Sequence, residues 1–201
     1  VDHCLGRIRT AVEAAGRADR TVFILVADTG TAGPEARDKN RTEDQRAVQV
    51  PFVVWAPGFT KGARGEQTHL IDVSDIAPTF LELAGTPAKS REGLDGHSFA
   101  PLITGAAYTP REHILSFCYD RVWIRDARWL LDGRGRLLDT SRPGSGDEPY
   151  ATAGDDAEAR AARERFRAIE QALPIDRNSA AWKSSVKNSP YPPKEKAGAT
   201  P

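Results

Sequence analysis

The chain has 201 residues, with 28 Lys plus Arg against 28 Asp plus Glu, two cysteines and no methionine. Such a length supports one good core, or a core with a small appendage, and a formal net charge of zero removes any global pull toward nucleic acid or anionic membrane. Two cysteines outside any C-x-x-C pair make no disulfide framework, and no apolar run approaches the roughly 20 residues that span a bilayer.

Residues 1–15, VDHCLGRIRTAVEAA, repeat apolar side chains at three-to-four spacing (Val1, Leu5, Ile8, Val12, Ala15). This predicts a helix with one apolar stripe, stopped by Gly16. TVFILVA, residues 21–27, shows no alternation and is rich in β-branched residues, the pattern of a strand covered on both faces in a parallel sheet flanked by helices. A charged, glycine-bearing loop runs from Asp28 to about Arg46. VQVPFVVWAPG, residues 48–58, predicts a second buried strand closed by Pro57 and Gly58. In the next block Ser74 is a candidate cap for a helix over Asp75–Ala84, with Ile76, Phe80, Leu83 and Ala84 on its apolar side and Gly85 ending it. Pro78 is tolerable in the first turn.

Beyond about residue 110 the pattern changes. HILSFCY, RVWIRD, RWLLD and RLLDT are short strand-like runs with brief connections, which predicts a small antiparallel sheet over 113–140. Residues 141–152 read as a loop. DDAEARAARERFRAIEQAL predicts a helix with acids at its start and a thin apolar face of Ala157, Ala161, Phe166, Ile169 and Leu173. The expected division is 1–110, 111–175 and an extended or disordered tail over 176–201. A doubly wound sheet needs more than two strands, so the remaining strands are expected in sequence outside these residues. With Val1 at its start and no methionine, the chain reads as a mature chain, a processed piece or a fragment.

Ligands of open α/β sheets gather beyond the C-terminal ends of parallel strands. Asp28 stands at such an end, followed by TGTAG, and a carboxylate there either binds a hard cation or turns the chain. The histidines (His3, His69, His97, His113) form no H-E-x-x-H or triad spacing and read as structural. Asp72 and Asp75 read as packing-linked or helix-start acids, and Cys4 and Cys118 as buried small hydrophobes. Trp123 and Trp129 lie among Arg121, Arg125 and Arg128 at the spacing of a half-buried strand with a wet polar face; no nucleic-acid partner is expected.

VDHCLGRIRTAVEAAGRADRTVFILVADTG resembles the segment of sulfatases, in the alkaline phosphatase superfamily, that ends in D-N-G or D-H-G. The agreement continues in order through VQVPFVVWAPG, LIDVSDIAPTFLELAG and LDGHSFAPLITG, with a looser match in DARWLLDGRGRLLDT. It covers roughly residues 2–140 and extends faintly to 173. The fold class it implies is α/β: the C-terminal portion of an alkaline-phosphatase-like sheet with flanking helices, followed by a small antiparallel sheet and a helix.

The resemblance also implies chemistry. Asp28 inherits the role of ligand to an active-site divalent cation, usually calcium. Thr29 stands where the family commonly has a second ligand, Asn or His, and its hydroxyl is a weaker, neutral donor with shorter reach. Lys39, twelve residues before Pro51 where the family has about eleven, takes the position of a catalytic lysine that contacts sulfate; a compact cation there stabilises developing negative charge. Glu43 lies near a common family glutamate and is given no role. The family's nucleophile, a Cys or Ser in C-x-P-S-R or S-x-P-x-R matured to formylglycine, has no counterpart in these 201 residues. The implied reading is the C-terminal part of a hydrolase of sulfate esters, inactive alone. Its partner would be a missing N-terminal half or a second copy, and its substrate a sulfate-ester small molecule or glycan. A related metal-dependent phosphodiesterase or phosphatase and a non-catalytic binding or assembly protein are the alternatives.

Overall fold

The computed structural model describes residues 1–28, 30, 49–61, 64–145 and 149–189. They divide into two compact units: residues 1–27 with 51–111, and residues 28–50 with 112–201.

The first unit opens with α1 (Asp2–Ala14), which has no buried residue. Cys4, expected inside, is exposed on it, because none of the helix surface is fully covered. Strands β1 (Phe23–Val26) and β2 (Phe52–Trp55) pair antiparallel, Phe23 opposite Trp55 and Val26 opposite Phe52. The expectation of parallel neighbours is corrected here. A continuous apolar run signals burial but carries no information on strand direction. Nor are both faces covered, since β1 is half-buried along its length and Val53 is 54% exposed. Gly58 follows β2 where a Cβ would lie 1.7 Å from the carbonyl oxygen of Asp19, so close passage of the two backbones requires glycine.

A 3-10 turn (Val73–Asp75) leads into α2 (Ile76–Leu83). The cap is Asp72, not Ser74. The Asp72 carboxylate accepts the Ser74 N–H at 2.9 Å, while Asp75 reaches back to the Asp72 N–H at 2.9 Å, a capping box. The face of α2 is also turned from the expected one: Pro78 and Thr79 are buried and Phe80 is 43% exposed. Thr79 is held inside because its hydroxyl donates to the Asp75 carbonyl at 2.6 Å and accepts from the Phe99 N–H at 3.0 Å. Helix α3 (Ala100–Thr104) ends at Gly105, left-handed at φ 79. Ala56, Phe99 and Ile103 form the centre of this unit's core, with the Phe52 and Phe99 rings edge to face at 5.5 Å.

The second unit carries a five-stranded antiparallel meander: β3 (Ile114–Cys118), β4 (Arg121–Arg125), β5 (Trp129–Leu131), β6 (Leu137–Pro143) and β7 (Tyr150–Thr152). The small antiparallel sheet is as expected. It runs further than 140, because β6 continues through Pro143 and β7 returns beside it with a register shift between Asp139 and Pro143. Helix α4 (Ala157–Ala172) is capped by Asp156, whose side chain accepts the Ala159 N–H at 2.9 Å. It buries Ala159, Ala162 and Phe166 against Val122, Ile124, Trp129 and Leu137 of the sheet. A further helix, α5 (Ala180–Lys187), lies within the stretch expected to be extended tail. Its start is set by Ser179, whose hydroxyl oxygen accepts the Trp182 N–H at 3.1 Å.

Candidate functional site

Asp28 stands two residues beyond β1, and its side chain is exposed. Hydrophobic β1 ends and a carboxylate follows, so the chain presents a charged group where the apolar strand runs out. That position suits a cation ligand chemically: a hard oxygen donor with access to solvent. Thr29 and Lys39 lie outside the described residues, as do Arg37, Arg41, Glu43 and Arg46. Among the described residues no group of three or more His, Cys, Asp or Glu side chains is placed to hold a metal ion. One carboxylate does not complete a calcium shell, which takes six to eight oxygens, so the described residues by themselves do not fit the cation the family resemblance implies.

The most interconnected polar group of the first unit is Asp75, fully buried at 0% exposure. Its carboxylate accepts from the Asp72 N–H at 2.9 Å, from the His97 N–H at 2.6 Å and from Arg111 Nε at 3.2 Å, and a second Arg111 nitrogen lies against Oδ1. A forked guanidinium on a buried carboxylate neutralises the charge that burial would otherwise penalise. The arrangement fastens the 94–99 loop and Arg111 to the start of α2. Gly96 shows how close that docking is, since a Cβ there would lie 1.9 Å from the Ser74 carbonyl oxygen. Asp75 is therefore structural, as its sequence context indicated, and it holds His97 through that residue's backbone N–H. Beside them, Tyr108 packs edge-on against His69 at 5.3 Å and His97 at 6.0 Å between ring centroids. Its hydroxyl is buried without a hydrogen-bond partner among the described residues. Burial pushes the phenol pKa up, the Asp75 carboxylate adds to this and Arg111 opposes it.

In the second unit Arg128 joins sheet to helix. It donates to Asp139 on β6 at 3.1 Å and to Glu158 on α4 at 2.6 Å, and its guanidinium lies 4.4 Å from the centre of the Trp129 ring. Asp139 is 2% exposed, and the Arg128 hydrogen bond, helped by Ser141, holds its pKa at about 2. A carboxylate depressed in the folded state contributes stability above its unfolded pKa, about 3.9. That contribution is lost as pH falls through the folded value. Stability of the second unit is therefore expected to be flat above about pH 5 and to decline between about pH 4 and 2. Asp139→Asn should remove most of that decline when urea midpoints are measured across the range. An unchanged slope would show that another carboxylate carries it.

Sequence pattern did not single out Arg111, Tyr108 or Arg128 as partners in these clusters. Arg111 had no signal, being separated by 36 positions from the carboxylate it pairs with. Arg128 could have been found: with Trp129 and Asp139 it brackets a tight β5–β6 hairpin in which Trp129 pairs with Asp139.

Comparison with known proteins bears on the first unit most directly. The sulfatase family model matches residues 1–86. Arylsulfatase K of Danio rerio is 33% identical over 104 residues, which cover 51% of this chain and 19% of that protein. An ulvan-active sulfatase of Formosa agariphila is 39% identical over 88 residues, covering 43% and 16%. Human arylsulfatase A is 28% identical over 129 residues, covering 58% and 24%. A solved structure of a Bacteroides thetaiotaomicron protein described as a sulfatase superposes with a TM-score of 0.57 at 20% identity, over 75% of this chain and 35% of that one; at that identity the likeness shows the fold alone. A sulfatase-superfamily domain is present in this chain. It spans about a quarter or less of the length of these three curated relatives.

Proposed function

We propose that this chain is the C-terminal part of a metal-dependent hydrolase of sulfate esters, and that it contributes to the active site without completing it. The observation that carries this reading is Asp28, exposed just past β1 within the 1–86 stretch that matches the sulfatase model. In the reading, Asp28 is one oxygen ligand of a divalent cation, calcium by the family resemblance, with Thr29 beside it. Lys39 is the cation that meets the sulfate. When bound, the metal would supply Lewis-acid polarisation of the ester oxygens. This chain's residues hold and orient; no residue of the 201 supplies the formylglycine nucleophile, and no step is assigned to the chain alone.

The partner in this reading is the N-terminal part of such a hydrolase, or a second copy of the chain. Support comes from apolar surface left uncovered in the first unit: Ile8 on α1 is 48% exposed, Val53 on β2 is 54% exposed, and Leu5 and Val12 of the same α1 stripe are half-buried. The substrate class extends to sulfated glycans, because two relatives carry names that refer to saccharides, the ulvan-active sulfatase and an N-acetylglucosamine-6-O-sulfatase of Bacteroides thetaiotaomicron. Thr29 in the place of Asn or His, together with Lys39 standing twelve rather than about eleven residues before Pro51, favours a non-catalytic relative instead.

Turnover of 4-nitrophenyl sulfate separates these readings. The 201-residue chain is expected to show none above background. Extended by its own upstream coding sequence, it should hydrolyse the ester in the presence of calcium, and Asp28→Ala should reduce that rate by at least about a hundredfold, the scale of losing a transition-state electrostatic contact. Upstream sequence without a C-x-P-x-R or S-x-P-x-R run, or an extended protein whose rate ignores Asp28→Ala, would overturn the proposal.

A further inference from the structure

Helix α2 carries a single charge in the run from Ile76 to Ala84, at Glu82. A helix that is apolar on every side belongs inside a core, yet only one side of α2 is inside. Pro78 and Thr79 are buried beside Asp75, and Leu83 packs on the core of Ala56, Phe99 and Ile103. Glu82 stands two positions from Phe80, across the helix from it, and faces Arg91 at 3.9 Å.

The other side is open. Val73 is 58% exposed and Phe80 43%, and Ala77 and Ala84 are exposed as well. Their +4, +3, +4 spacing draws one stripe along the turn and the helix, with no charged or hydrogen-bonding side chain in it. Half-buried Ile76 and Leu81 flank it. The helix is also held in this orientation. Thr79, on the inner side, donates to the Asp75 carbonyl at 2.6 Å and accepts the Phe99 N–H at 3.0 Å. Rolling α2 to hide Phe80 would break both bonds.

We propose that this stripe seats an apolar element from the upstream part of the same polypeptide, with Phe80 as the central contact. The inference rests on the reading of the chain as part of a longer hydrolase, and it goes beyond that reading by fixing where on α2 the rest of the protein lands. Two observations choose this occupant. The stripe lies inside the 1–86 stretch that matches the sulfatase model, and the chain spans about a quarter or less of the length of the three curated relatives. The stripe is also small. Eight helical residues give a strip about 12 Å long and 10 Å wide, far below the roughly 800 Å² per partner of a stable interface between separate chains. A segment of the same polypeptide needs no such area, because its docking is intramolecular. The occupant is uncharged, since an ionised group set against Phe80 would lose its water and gain no partner.

Backbone hydrogen exchange over residues 73–84 would be compared in the 201-residue chain and in the chain extended by its own upstream coding sequence. The extension is expected to slow exchange there at least about tenfold, because cover suppresses local opening. In the extended protein Phe80→Glu should cancel most of that slowing, and Val73→Ser, a milder change at the end of the stripe, should reverse part of it. In the 201-residue chain Phe80→Glu should leave the thermal midpoint within about 2 °C of wild type, since the side chain already meets water. Equal exchange with and without the extension, or slowing that survives Phe80→Glu, would overturn the assignment. So would sedimentation of the 201-residue chain as a dimer that Phe80→Glu dissolves, which would give the stripe to a second copy. Turnover of 4-nitrophenyl sulfate tells the two readings apart. Slowed exchange without turnover keeps the seat on α2 and removes the sulfatase reading, and turnover with unchanged exchange does the reverse.

Discussion

Asp75→Ala is expected to destabilise the first unit by about 3–5 kcal/mol, the usual cost of removing one partner from a buried ion pair. The reason is the number of groups that converge on a side chain with 0% exposure. Alanine would leave the Arg111 guanidinium, whose side chain is 17% exposed, facing a site with no counter-charge. It would also strip acceptors from the Asp72 and His97 N–H groups, at 2.9 and 2.6 Å in the native site. Each orphaned buried donor adds a penalty of about 1–3 kcal/mol, although such costs overlap and do not simply add. Asp75→Asn keeps the shape and one acceptor, so it should lie between wild type and alanine. Urea unfolding with peptide-level hydrogen exchange over residues 70–111 reads the effect directly. A loss under about 1 kcal/mol, with exchange unchanged over that stretch, would mean that the carboxylate is dispensable.

The same network explains what could be read in the sequence and what could not. LIDVSDIAPTFLELAG and LDGHSFAPLITG are separate blocks in the chain, and their helix and turn patterns were legible locally. Their joining was not, because it depends on Asp75 reaching His97 and Arg111 across 22 and 36 positions. Local pattern also misplaced the helix cap. Ser74 and Asp72 are both good cap residues, and the choice was decided by the reciprocal bond from Asp75. Strand direction in the first unit was illegible for a different reason. A four-residue apolar strand looks alike in either orientation, and only the pairing of Phe23 with Trp55 shows it to be antiparallel. Helix α5 was missed because a polar eight-residue segment carries little periodicity. Ser179 three positions before Trp182 was the available signal. Asp28 is different again: its place beyond a strand was readable, while its role depends on groups that these residues do not bring together.

Phe166→Ala is the second large effect expected, about 3–5 kcal/mol from the second unit. Phe166 is fully buried at 0% exposure and packs within the cluster formed by Val122, Ile124, Trp129 and Leu137. The sequence already held the reason for its position. Ala159, Ala162, Phe166, Ile169 and Leu173 follow a +3, +4, +3, +4 rhythm, a cleaner stripe than one drawn through Ala157 and Ala161. Ala159 and Ala162 are both 0% exposed, so the first turns of α4 meet the sheet through methyl groups, and the one large side chain fills the space beyond them. Truncating it opens a cavity that neighbouring alanines are too short to fill. Phe166→Leu, which keeps much of the volume, should cost under about 1.5 kcal/mol. Ala162→Leu should instead destabilise by overpacking, about 1–3 kcal/mol, because the helix would have to lift from β4 and β5. The three variants together test close helix–sheet approach: similar urea midpoints for Phe166→Ala and Phe166→Leu, or an Ala162→Leu variant as stable as wild type, would show that α4 packs loosely enough to adjust.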